Sequence, residues 1–365
     1  MWSLDIFITF LVCVGVALFL IPKIIKISKK KHLYDACDER KLHEEQISRL
    51  GGISFVPTIL AGVATYLFVF HIPEGKEIQE LITWQHAMIL GAFLVIFAAG
   101  VVDDVLQIGY RLKFIAQLLA ATLVVLSGLY INTLYGFFGI EEIIPTISMP
   151  LTVLFIMTCI NAYNLIDGID GLCSGIAIVS LVAFYYLFPV QDINLFTLLT
   201  ISTLGALFVF FCFNVFGKTK RNRKIFMGDC GSQTVGLLLS VLAIHYSTQP
   251  LYTTGIPTEN KSIAVCIALL MIPIFDVVRI IIHRLREHKN PFLPDRNHIH
   301  HKFLALGLSQ RSALMVILGM TIFFLLLNIG LQNTISITLL LLLDIILYTL
   351  LNIGLTFLIK KKEAK

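Results

Sequence analysis

The sequence predicts an all-α, polytopic integral membrane protein of about eleven transmembrane helices, with its N-terminus outside and its C-terminus cytoplasmic. Three observations predict it. Of 365 residues, 57% are hydrophobic and only 14% are charged, at a mean hydropathy of +0.86; a chain this apolar is solvated largely by lipid. Apolar runs long enough to cross a bilayer, about 17 to 25 residues each, recur along the whole chain. Charges lie almost entirely in the gaps between runs or at the ends of runs, and 26 of the 28 Lys and Arg fall on one side, which fixes the orientation by the positive-inside rule. A secreted globule and a nucleic-acid-binding protein are excluded, despite the net charge of +5.

The runs lie near 4–22, 53–71, 86–102, 112–131, 150–166, 174–190, 195–216, 233–248, 262–282, 312–331 and 334–359. No basic residue precedes the first, whereas Lys23, Lys26, Lys29, Lys30 and Lys31 follow it. That is the reverse of a cleavable signal peptide, so the run reads as a retained span. Only Lys76 and Lys261 fall on the outer side, where the gaps carry scattered carboxylates such as Glu74, Glu141 and Asp192 and no catalytic pattern. The basic run Lys218 to Lys224 is what topology alone requires. No inverted repeat, low-complexity stretch or separate soluble region stands out, so residues 1–365 form a single membrane-embedded domain. Seven cysteines, an odd number with no C-x-x-C pair, support neither a disulfide framework nor a thiolate zinc site.

Four polar clusters abut the apolar runs, all at the predicted cytoplasmic ends of helices. The first is Asp103-Asp104, which follows the apolar stretch Val95 to Val102. Adjacent carboxylates repel unless a cation or hydrogen-bond donors compensate, and hard oxygen ligands suit Mg²⁺; a helix-ending turn explains the pair as well. The second, Asn161-Ala-Tyr-Asn164-Leu-Ile-Asp167-Gly-Ile-Asp170-Gly171, sets amide or carboxylate side chains every three residues. On an α-helix these would turn through about 180°, so the helix is expected to open near Asp167, where Gly168 and Gly171 permit it.

The third cluster, Phe226-Met-Gly-Asp229-Cys-Gly-Ser232, precedes another apolar run. Its glycines allow close backbone approach, Asp229 could hold a Mg²⁺ carried by a diphosphate, and the helix start favours phosphate. An ordinary Gly-Ser helix start is the plain alternative. The fourth, Asp295-Arg296-Asn297-His298-Ile-His300-His301, lacks Cys and the H-E-x-x-H spacing of a zinc helix, and suits phosphate oxygens better. Gly217-Lys218-Thr219 is not a Walker A loop and His43-Glu44-Glu45 is not a zinc motif. Asp344, in the last run, has no evident role.

Taken in order, these clusters resemble the polyprenyl-phosphate N-acetylhexosamine-1-phosphate transferases, the group containing the WecA, TagO and MraY enzymes, over roughly residues 35–310. Arg40-Lys41-x-His43 and Arg49-Leu-Gly51-Gly52 fit as well, although Ser48 and Cys37 stand where that group commonly has proline. The H-I-H-H form is similar to the WecA-type branch, whereas muramyl-pentapeptide enzymes usually show three consecutive histidines.

The resemblance implies transfer of N-acetylhexosamine 1-phosphate, with GlcNAc-1-phosphate favoured, from a UDP-sugar to undecaprenyl phosphate. UMP is released and a cell-envelope glycan is initiated at the cytoplasmic face of the bacterial inner membrane. It implies Mg²⁺ as cofactor, with Mn²⁺ a substitute. The sequence leaves the oligomeric state open, a homodimer being one of the assemblies it allows. Asp229, Asp103 and Asp104 would meet the metal, and these three with His298 would form the catalytic set. Lys41, Asn161, Asn164, Asp167, Asp170, Asn214, Phe226, Arg296, His300 and His301 would meet the substrates, Phe226 by stacking on uridine. Pro273-Ile-Phe-Asp276 and Arg279 also fit the pattern. The competing readings are the muramyl-pentapeptide donor and, in another class, a lipid or anion transporter, which would want polar groups near the bilayer midplane.

Overall fold

The computed structural model describes residues 3–33, 47–187, 193–221, 223–247, 262–288 and 297–364. The chain opens with α1 (Leu4–Lys30), then α2 (Phe55–Tyr66), which is entered by a 3-10 turn at Gly51–Ser54 and prolonged by a π-helical turn at Leu67–His71. There follow α3 (Ile78–Leu81), α4 (Trp84–Leu106), α5 (Tyr110–Leu126), a hairpin of β1 (Thr133–Phe137) and β2 (Ile140–Glu142), and α6 (Pro145–Ile166). The remainder is α7 (Leu172–Leu187), α8 (Leu195–Val215), α9 (Gly228–Ser247), α10 (Ser262–Arg286), α11 (Ile299–Ala305), α12 (Gln310–Leu331) and α13 (Ile337–Glu363).

Each predicted apolar run coincides with a helix. Among the described residues, eight are long and apolar enough to cross a membrane: α1, α2 with its flanking turns, α4, α6, α8, α10, α12 and α13. The other three expected spans differ for visible reasons: α5 and α7 have 17 and 16 residues, and α9 begins with the polar, small stretch Gly228 to Thr234. The molecule is a polytopic membrane protein.

The hairpin departs from the all-helical expectation. The run near 112–131 stops early, at Leu126, because Gly128 takes φ +91° and turns the chain. Thr133 then pairs with Glu142 and Phe137 with Ile140 across a turn in which Gly136 and Gly139 also have positive φ. The fifth run starts at Pro145 rather than 150, since proline is well tolerated at the first helical position, where no intrahelical N–H partner is needed.

Burial separates centre from periphery. Within an 18-residue apolar stretch of each helix, 83% of the residues are buried in α8, against 28% in α1 and 22% in α13. Residues 230–244 of α9 are all buried, and this helix packs against α4, α6 and α10. The outer helices turn large apolar side chains outward, among them Leu4, Phe7, Leu154, Leu350 and Phe357, a lipid-facing surface rather than a water-facing one. The break expected at Asp167 is present: α6 stops at Ile166 and α7 begins at Leu172, with Gly171 at φ +79°. The ends of α4 and α6 and the starts of α5 and α9 therefore meet at one end of the bundle. The hairpin lies at the other, one helix length or about 25 Å away.

Candidate active site

The site is built on the first turn of α9. Gly228 takes φ +73°, and Asp104, in the last turn of α4, accepts hydrogen bonds from the Asp229 N–H (2.8 Å) and the Cys230 N–H (3.0 Å). A carboxylate at a helix N-terminus satisfies orphan donors and complements the dipole. Asp104 is thus the anchor of α9. Gly100 of α4 lets the two helices touch, because a Cβ there would overlap Cys230.

Asp103 points elsewhere, as adjacent helical residues must, being about 100° apart. It is buried, with Oδ2 at 2.5 Å from Lys113 Nζ, and the same ammonium lies 2.6 Å from Asp229 Oδ2. One cation position is therefore shared by two carboxylates from different helices. Beside it, Asn164 donates to Ser232 Oγ (2.9 Å). Asn161 donates to Gln117 Oε1 (2.7 Å), and Gln117 donates to Gln233 Oε1 (3.2 Å). Asn161 thereby ties α6 through α5 to α9, and Asn164 ties α6 to α9 directly.

A polar cavity of about 500 Å³ opens next to Asp229, lined by Arg49, Asn164, Asp167, Asp170, Lys224 and Phe226 among others. Asn214 holds its far wall: its Oδ1 accepts from Gly171 N–H (2.6 Å) and its Nδ2 donates to the Ile225 carbonyl (2.8 Å). Lys224 pairs with Asp170 and donates to the Asn214 carbonyl (2.5 Å). Phe226 is set by backbone pairing, donating to the Ser48 carbonyl (2.8 Å) and accepting from Gly51 N–H (3.0 Å). Ser48, where proline was noted as common, keeps that bridge.

Burial pushes the Asp167 carboxyl up to about 7, aided by the negative charges of Asp229, Asp170 and Asp104 and opposed by Arg49. Between 3.8 and about 7 the folded chain holds a proton that the unfolded chain has released. This group therefore makes stability fall as pH rises through that window, and the full penalty stands above it. Asp167→Asn removes the penalty and is expected to raise the melting temperature relative to wild type more at pH 8 than at pH 5. A pH-independent difference in thermal melts would refute this.

The histidine cluster is organised by Asp276, which is fully buried. Its carboxylate accepts from His298 Nδ1 (2.8 Å), from Ile299 N–H at the start of α11 (3.1 and 3.2 Å), from Arg279 Nη2 (2.8 Å) and from Tyr348 OH (3.4 Å). Holding Nδ1 leaves Nε2 of His298 as the ring atom able to meet a ligand. His300 is buried against Gly168, where a Cβ would collide with its ring. Among the described residues, neither of its ring nitrogens has a hydrogen-bond partner. Burial, with His301 and His298 nearby, pushes it down to about 3, so any ligand contact it makes is from a neutral ring. His301 lies 4.2 Å away, ring centre to ring centre. Lys302 fastens α11 to α13, donating to the Asn352 carbonyl (3.3 Å), Asn352 Oδ1 (3.2 Å) and Thr356 Oγ1 (3.0 Å).

Of the residues singled out in the sequence, Lys41 and Arg296, with Arg40, His43 and Asp295, lie outside the described residues. Asp103 and Asp229 meet at Lys113, and Asn164, Asp167, Asp170, Asn214 and Phe226 surround the cavity. Sequence reasoning missed Lys113, Gln117 and Lys224. Lys113 and Lys224 had been absorbed into the topological charge, although a lone lysine four residues past Gly109 at the start of an apolar run was a usable signal.

Glycosyl transferase family 4 matches residues 86–247, the stretch from α4 to α9 that carries Asp103, Lys113, Asn214 and Asp229. A probable undecaprenyl-phosphate N-acetylglucosaminyl 1-phosphate transferase of Bacillus subtilis (strain 168) is 31% identical over 315 residues, 86% of this chain and 81% of the relative. The chain belongs to this family. Two further relatives are undecaprenyl-phosphate alpha-N-acetylglucosaminyl 1-phosphate transferases. That of Escherichia coli (strain K12) is 29% identical over 296 residues, 80% of this chain and 74% of the relative. That of Yersinia pestis is 29% identical over 294 residues, 80% of this chain and 75% of the relative.

Among the described residues, no three His, Cys, Asp or Glu groups gather into a closed metal cage. Mg²⁺ does not require one, since it is commonly bound by one or two carboxylates plus substrate phosphates. The shared cation position of Asp103 and Asp229 fits that pattern.

Proposed function

We propose that this chain transfers N-acetylglucosamine 1-phosphate from UDP-N-acetylglucosamine to undecaprenyl phosphate, releasing UMP. The reaction would run at the cytoplasmic face of a bacterial inner membrane, with all eleven long helices crossing or entering it. The names of the relatives support the acceptor and the transferred group, the family resemblance supports the UDP donor, and the one-sided Lys and Arg support the face. The observation that carries the reading is the convergence of Asp103 and Asp229 on one cation position beside a polar cavity that Asp229 lines.

In this reading the cavity takes the nucleotide, with Phe226 and Asp167 facing uridine and Asp170 and Lys224 shaping the wall. The lipid phosphate attacks the sugar-bearing phosphorus and UMP leaves. The sugar C1–O bond survives, so anomeric configuration is retained. Phosphoryl transfer of this kind is governed by alignment and charge neutralisation. Asp103 and Asp229 would hold Mg²⁺, which when bound supplies neutralisation of the diphosphate. Asp104 keeps α9 in register, and His298, fixed by Asp276, presents Nε2 to phosphate. A phosphate monoester is largely ionised near neutrality, with a second pKa of about 6, so Asp103 need not remove a proton from the acceptor.

The test is purified chain with Mg²⁺, undecaprenyl phosphate and a panel of UDP-sugars, scored by released UMP. Release with UDP-N-acetylglucosamine is expected. Silence across the panel would overturn the activity, and a response only to the muramyl-pentapeptide donor would overturn the sugar.

A further inference from the structure

We propose that Lys113 is a resident counter-ion that a divalent cation must displace, so that its ammonium becomes available to phosphate only when the metal is bound. The inference rests on the reading of Asp103 and Asp229 as the cation-holding pair and goes beyond it by assigning Lys113 a role. The ammonium lies 2.5 Å from Asp103 Oδ2 and 2.6 Å from Asp229 Oδ2, with the Asp103 and Asp229 side chains only 8% and 17% exposed. Two largely buried carboxylates this close to one point repel strongly without a cation between them. Lys113 supplies that cation from the first turn of α5.

A divalent ion bound by both carboxylates needs the position that Nζ holds. The two cations exclude one another, and by linkage each lowers the apparent affinity for the other. The residue type fits displacement. Lysine is a point charge on a flexible four-carbon stem, able to leave without breaking a planar bidentate fork of the kind arginine makes. Its side chain is 28% exposed, so the ammonium has an accessible side to move toward. Asp104 does not offer a substitute seat, because its two oxygens are engaged by the Asp229 and Cys230 N–H groups. The consequence is an ordered site. Without metal, Lys113 stays locked between the carboxylates; with metal, a positive charge is released beside the diphosphate.

The test needs no substrate. Mn²⁺ is titrated into the purified full-length chain and free Mn²⁺ is read by electron paramagnetic resonance. Lys113→Met is expected to bind Mn²⁺ about tenfold more tightly than wild type, and adding Asp103→Asn to it should cancel the gain. Equal or weaker binding by Lys113→Met overturns the inference. On the unaltered chain, amine labelling of Lys113 followed by peptide mass spectrometry should rise several-fold at saturating Mg²⁺. No rise overturns displacement even if the variant binds more tightly, and this measurement decides the matter if the variant does not fold. Wild-type chain that releases UMP while both metal responses are flat keeps the proposed function and loses this inference.

Discussion

Asp229→Asn is expected to lower sugar-phosphate transfer by about 10³-fold or more while the protein still inserts in the membrane. Asparagine keeps the shape and can still accept from Lys113 Nζ, now 2.6 Å away from the carboxylate, and the Asp229 backbone N–H still donates to Asp104, so the start of α9 survives. What is lost is one of two negative charges facing a single cation position. Asp103→Asn removes the other and should have an effect of the same kind. The measurement is UMP release beside a membrane-fraction blot and a size-exclusion profile. Wild-type turnover in either variant would remove the carboxylate pair from the site.

Asp276→Ala should be the most damaging change outside that pair. One buried carboxylate accepts from His298, Ile299 N–H, Arg279 and Tyr348, which joins α10, α11 and α13. Its removal leaves Arg279 without its carboxylate and the first N–H of α11 without its acceptor, and breaking a buried pair of this kind costs about 3 to 5 kcal/mol. The expected result is a lowered melting temperature together with loss of transfer. Asp276→Asn, which retains an acceptor for His298 Nδ1, should recover part of the stability. An alanine variant with unchanged melting and unchanged UMP release would show that His298 is positioned by something else.

The helices were legible because apolar run length is a direct consequence of bilayer thickness, and the break at Asp167 because four polar side chains at three-residue spacing cannot share one helical face. The hairpin was not. Its strands are short, and four positive-φ residues, Tyr135, Gly136, Phe138 and Gly139, make a turn that no hydrophobic period announces. Asp103 and Asp104 looked equivalent in the sequence, yet one faces an ammonium and the other caps a helix. Which does which depends on the rotation of α4 against α9, a property of packing. Asn214 was expected at the substrate and lines the cavity, but both ends of its amide are occupied by backbone groups, so it shapes the wall. Lys113 was hidden by its own type: a lysine near a membrane boundary satisfies topology before it suggests chemistry.

The clasp between Lys302 and α13 has a practical corollary. Asn352 and Thr356 grip the segment that carries His300 and His301, and near the chain terminus Lys362 donates to the Ala305 carbonyl (3.1 Å). Purification handles, fluorescent fusions or truncations grafted onto the tail would pull on the imidazoles through this latch. The exposed turn around Phe138 and Gly139, at the far end of the bundle, is the better place for them.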